Sequence, residues 1–165
     1  MFYLVLFIPL ALILVAFQSA VLNQIPIAGG YFDILTIFLV LFTLYGSYEL
    51  ALISVIVLAP IADAISGLPI GVSIIPMLSV VLLAQWGGRT IFGARLGWPI
   101  IVIFLGVLIA GFITIFELYI LGWELPWDAL ILRKLIPSAF LNGFAALAIY
   151  LPAVLISERR VEMNL

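Results

Sequence analysis

The chain has no cysteine and no histidine, and only 8% of its 165 residues are charged. Without cysteine there is no disulfide framework and no thiol chemistry. Without histidine the commonest general base and metal ligand is missing, and a Ser/His/Asp arrangement cannot be built. Neither the phosphate-loop pattern G-x-x-x-x-G-K-[ST] nor the metal-binding pattern H-E-x-x-H occurs. The six basic residues are scattered, so the basic patch that nucleic acid requires is absent. No cofactor is implied.

What the chain has is hydrocarbon. It is 67% hydrophobic, with a mean hydropathy of +1.45, whereas a soluble domain carries about 25% charged residues. Too little polar side chain is present to cover a water-facing surface. The expected fold class is an all-α polytopic membrane protein, one transmembrane domain over residues 1–165 with about six transmembrane helices. A crossing needs about 20 apolar residues. The spans fall at about 2–22, 33–45, 49–65, 71–86, 98–121 and 133–156. The first run lacks a basic lead and is too long for a signal-peptide core, so it reads as a span. Asn23-Gln24-Ile25-Pro26 and Gly29-Gly30 mark the first turn. Gly46-Ser47 separates spans two and three. An alternative merges these two into a re-entrant hairpin, leaving about four full spans.

Basic residues in short loops set orientation. Arg89, Arg95, Arg159 and Arg160 fall on one side and Arg133 and Lys134 on the other, which places both termini in the cytoplasm. The acids show the opposite bias, with Asp33, Asp63, Glu124 and Asp128 on the outer side and Glu117 near it. In the loop "GWELPWDALILRKL", Trp123, Trp127 and Ile131 recur at spacing four, with Glu124 and Asp128 on the next strip. Two readings stand: a short amphipathic segment in the outer interface, or an ordinary belt of interfacial aromatics.

Ionisable groups within a membrane are expensive and are usually paired or functional. Asp63 precedes Ser66, Gly67, Pro69 and Gly71, which together make a tight outer turn between spans three and four. The carboxylate either accepts hydrogen bonds from N–H groups this turn leaves free or lines a site or partner contact. Glu117 faces the bundle, and its only basic candidates on that side are Arg133 and Lys134; otherwise it is protonated or solvated near the interface. Ser138 and Asn142 share one helical face near mid-bilayer, where polar side chains join helices. Gly106 with Ala110, and Ala139 with Gly143, are small pairs that allow close helix approach. Asp33, Asp63, Glu117, Glu124 and Asp128 are therefore the candidate partner-contact or pocket residues, and none is a catalytic candidate.

These residues bring a family into view. The second span opens with Asp33 after a Pro-containing loop from Pro26. The end of span three reads D-x-x-S-G-x-P-x-G, as Asp63, Ser66, Gly67, Pro69 and Gly71. The last span carries Asn142 and ends in the basic tail Arg159-Arg160. In these features, and in length and span count, the whole chain resembles the bacterial rod shape-determining protein MreD family. The resemblance implies a non-enzymatic scaffold in the bacterial cytoplasmic membrane, part of the elongation machinery that builds side-wall peptidoglycan. The partner it implies is MreC, a single-span protein with a periplasmic domain. RodA, a class B penicillin-binding protein and MreB are associates. Membrane lipid and a second copy of the chain complete the expected partners. The implied fold is similar to the S-component of energy-coupling-factor transporters, which supplies the rival function: a small-molecule-binding transporter component. A lipid-handling enzyme is a third reading, for which the carboxylates are poorly placed.

Overall fold

Helices form where the apolar runs lie, because backbone polar groups in a bilayer must be satisfied within their own segment. The computed structural model describes residues 2–90 and 97–148. Arg95, Arg159, Arg160 and the final stretch of the sixth expected span lie outside the described residues. In chain order the helices are α1 (Phe2–Ala20), α2 (Ile34–Tyr45), α3 (Tyr48–Ser66), α4 (Ile74–Thr90) and α5 (Gly97–Ile120). The last, α6 (Trp127–Ala148), runs on continuously through one π-helical turn at Ile131–Leu135. Among the described residues there is no strand, only an isolated bridge between Ile27 and Gly30.

Three of these helices, α3, α5 and α6, are long and apolar enough to cross a membrane. The protein is therefore an all-α protein of membrane-spanning character. At 1.5 Å per residue, the 12 residues of α2 cover only about 18 Å of a roughly 30 Å hydrocarbon core.

The helix ends follow local chemistry. Gly46 closes α2 and Ser47 opens α3, accepting from the Leu50 N–H at 3.5 Å, so the Gly46-Ser47 break separates two helices. Gly67 ends α3 in the left-handed region (φ 70°), which costs an L side chain about 1–2 kcal/mol. Residues 71–73 belong to the turn, and α4 starts only at Ile74, later than the expected 71.

The sixth helix starts earlier than expected, at Trp127 instead of 133. This overturns the separate amphipathic segment. Trp127 is the first residue of a membrane-length helix, and it packs edge-on against Tyr119 (centroids 5.4 Å apart) and Phe112 (6.3 Å) at the end of α5. Trp123 lies outside any helix, so the two tryptophans do not share a helical face.

The main core is formed by α1 to α5 around Val15, Leu39, Val55, Leu58, Val81 and Ile103, with Ala146 of α6 joining it and α4 seated between α2, α3 and α5. A smaller cluster of Val107, Ile115, Leu135 and Ala139 joins α5 to α6. Large side chains such as Ile13, Ile56, Ile101 and Phe144 point outward. On a water-facing surface they would be a liability; against acyl chains they are the expected coat.

Candidate functional site

The polar residues converge at one end of the bundle, which also holds connections 21–33, 67–73 and 121–126. The first of these is a folded-in segment. Ile27 and Gly30 exchange both backbone hydrogen bonds (2.8 and 2.9 Å) around Ala28 (φ 52°) and Gly29 (φ 85°). Positive φ at both central residues is the signature of a type I′ turn. The chain then runs along α6. A Cβ at Gly30 would lie 2.6 Å from the Pro137 backbone carbon, so only glycine permits this approach. Tyr31 N donates to Ser138 Oγ at 2.9 Å, and Asp33 N donates to Asn142 Oδ1 at 2.8 Å. Asn142 Nδ2 donates to Tyr31 O at 2.9 Å and to Ser138 O at 2.8 Å. From Arg133, which faces Gly29, to Asn142 is about 13 Å of helix. Irregular backbone thus descends well into the bundle, where it is tolerated because protein groups satisfy it. This descent is what shortens α2.

Ser138 and Asn142 therefore bind the backbone of the first connection. Helix-to-helix side-chain bonding was the expected role. The opposite wall of the segment is held by Gln18 of α1, whose Nε2 donates to Phe32 O at 2.8 Å and to Asn23 Oδ1 at 2.9 Å. Its Oε1 accepts from Ile34 N at 2.9 Å. Asp33 caps α2, taking the Thr36 N–H on Oδ1 at 2.9 Å and the Thr36 hydroxyl on Oδ2 at 2.6 Å.

Asp63 is fully buried. Its Oδ2 accepts from Gly71 N at 2.7 Å, both oxygens accept from Ser73 N at 3.2 Å, and Ser73 Oγ donates to Oδ1. Its backbone carbonyl accepts from Gly67 and Leu68. One residue thus closes both ends of the turn. A buried carboxyl group is tolerable only when hydrogen-bonded this fully. Burial also removes Asp63 from any surface a partner could touch.

Glu117 has no hydrogen-bond partner for Oε2 among the described residues. The expected ion pair with Arg133 or Lys134 does not form. Lys134 instead sets its Nζ over the Tyr31 ring, 5.0 Å from the centroid. Glu124 and Asp128 are exposed beyond the end of α5.

Gly106 packs where α5 crosses Val80 of α4 and Thr36 of α2, and Ala139 is buried in the α5–α6 cluster. Ala110 flanks the main core, and Gly143 faces Phe104 across the same α5–α6 seam. Sequence reasoning did not single out Gln18, Tyr31, Thr36, Ser73 or Thr114. The one signal available for Gln18 was a lone amide in a hydrocarbon run.

Between these groups lies a cavity of about 230 Å³, walled by Gln18, Asp33, Thr36, Ser73, Thr114 and Lys134 with apolar neighbours. No family model, no curated protein and no solved structure matches the chain.

Proposed function

We propose that the chain is a non-enzymatic scaffold of the bacterial cell-elongation complex, of the MreD kind, sitting in the cytoplasmic membrane as a six-span bundle with both termini inside. In this reading it binds MreC and, with RodA, a class B penicillin-binding protein and MreB, helps organise side-wall peptidoglycan synthesis and rod shape. The observation that supports it is the geometry of Asp63, Ser66, Gly67, Pro69 and Gly71. The segment that carries the resemblance is a self-satisfied turn in which the carboxylate accepts from Gly71 and Ser73. Asp33 is likewise occupied as a cap. A carboxylate as fully committed to backbone N–H groups as Asp63 serves architecture, whereas acid–base catalysis needs one within reach of a substrate proton.

A membrane-embedded scaffold meets partners on helix faces or at its rim. Its helix faces are apolar, and its exposed acids at the loop end are Glu124 and Asp128. These suit a juxtamembrane segment carrying Lys or Arg. The rival reading, a vitamin-binding transporter component, would draw on this cavity of about 230 Å³ or on an open cleft of about 710 Å³ lined by Tyr119, Trp123, Glu124 and Trp127. The deciding experiment is a pull-down of tagged protein from native membranes in mild detergent, read by mass spectrometry. Recovery of a single-span periplasmic protein with cell-wall synthases supports the scaffold. Recovery of ATPase subunits or a bound vitamin overturns it.

A further inference from the structure

The cavity has features that scaffolding does not use. Its wall carries one carboxylate, Asp33, and one ammonium, Lys134. Opposite charges lining one space attract, although Lys134 is exposed and Asp33 only half-buried. These two are nevertheless held by separate neighbours: Asp33 by its capping bonds to Thr36, and Lys134 by the face of Tyr31. Each keeps capacity to spare. An ionised carboxylate offers about four acceptor positions and an ammonium three donors, whereas the Asp33 carboxyl accepts from the Thr36 backbone N–H and the Thr36 hydroxyl.

The space between them is built into the backbone. Ala110 and Gly111 of α5 line it, and beside it the helices meet closely: a Cβ at Gly111 would fall 2.2 Å from Leu135 Cδ1. Lys134 and Leu135 sit in the π-helical turn Ile131–Leu135. Single π turns within α-helices are rare and occur frequently at functional sites, where they re-aim side chains.

We infer that this cavity is a binding site for a small zwitterion, with its ammonium end at Asp33 and its acid end at Lys134. The volume suits a molecule of head-group size. Such chemistry has two sources, the phosphoethanolamine head group of a phospholipid or a soluble phosphoethanolamine ester. The inference rests on the cavity alone and does not depend on the scaffold reading.

The test is native mass spectrometry of the full chain in mild detergent. The probes are phosphatidylethanolamine, phosphatidylglycerol and soluble glycerophosphoethanolamine. Two variants separate charge from fold. Asp33→Asn keeps a good helix cap, and Lys134→Met keeps the stem over Tyr31. Phosphatidylethanolamine should bind in preference to phosphatidylglycerol, and each variant should weaken it about tenfold or more. Competition by glycerophosphoethanolamine would assign the site to a soluble ligand, and its failure to compete would assign it to lipid. Equal retention of both lipids with no soluble binding, or binding unchanged in both variants, overturns the inference. If Asp33→Asn does not yield folded protein, Lys134→Met alone decides: preference for phosphatidylethanolamine must then collapse.

Discussion

The Asp33 N–H donates to Asn142 Oδ1 at 2.8 Å, across 109 residues of sequence. The other half of the same amide serves Tyr31 O and Ser138 O. One side chain thus fastens the chain's first connection to its last helix. With Gln18 on the opposite wall, it supplies partners that the backbone at 31–34 could not find in lipid.

Asn142→Leu should therefore be among the more damaging single changes. It preserves volume but strands Asp33 N and Tyr31 O, at about 1–3 kcal/mol for each buried unpaired group. Thermal unfolding in detergent should show a clear loss. Phe144→Leu, at a side chain 68% exposed, should stay within about 0.5 kcal/mol of the parent. Equal melting of the two variants would sink the role given to Asn142.

Asp63→Ala should cost roughly 2–5 kcal/mol, because Gly71 N and Ser73 N lose their acceptor. Ser73→Ala alone should cost about 1 kcal/mol. The double variant should cost less than the sum, since both act on one network. Simple additivity in a double-mutant cycle would show that the two do not interact.

Two glycine substitutions should differ in kind. Gly67→Ala meets open space but needs a left-handed backbone, for about 1–2 kcal/mol. Gly30→Ala drives a methyl into Pro137 and should also release the Tyr31 and Asp33 amides. Hydrogen exchange at those two amides should accelerate in Gly30→Ala and hold steady in Gly67→Ala. The reverse pattern would refute the close packing of 29–33 on α6.

Glu124→Gln with Asp128→Asn should leave stability unchanged within about 0.5 kcal/mol, because both side chains are exposed. On the proposed scaffold reading, co-purification of MreC should weaken at low salt and converge with the parent as salt screens the contact. Unaltered recovery at low salt would exclude this rim as the docking surface.

Several features could be read directly from the residues. The Asp63 turn was legible because donor and acceptor lie within ten residues, with glycine and proline marking the bend. The Gly46-Ser47 break was legible for the same reason. The descent of 29–33 was not, because its bonds join backbone atoms to side chains more than 100 residues away, and backbone atoms have no sequence signature. Spacing four made Trp123 and Trp127 resemble one helical face, but Gly122 (φ 86°) turns the chain between the helices. Glu117 was paired with Arg133 or Lys134 by proximity in the loop; the Tyr31 ring, a distant neighbour, takes Lys134 instead.

The fastening of the first connection by the last helix also bears on how the protein is made. Residues 29–33 are synthesised early, and the amide that completes their hydrogen bonding follows 109 residues later. At about 5–20 residues per second, that is a wait on the order of 5–20 s. During that interval Gln18 can already hold Phe32 O and Ile34 N, but Tyr31 and Asp33 await the partners that Ser138 and Asn142 supply. A chain that stops short of Asn142 leaves the Asp33 N–H and the Tyr31 carbonyl without the partner that completes the fold.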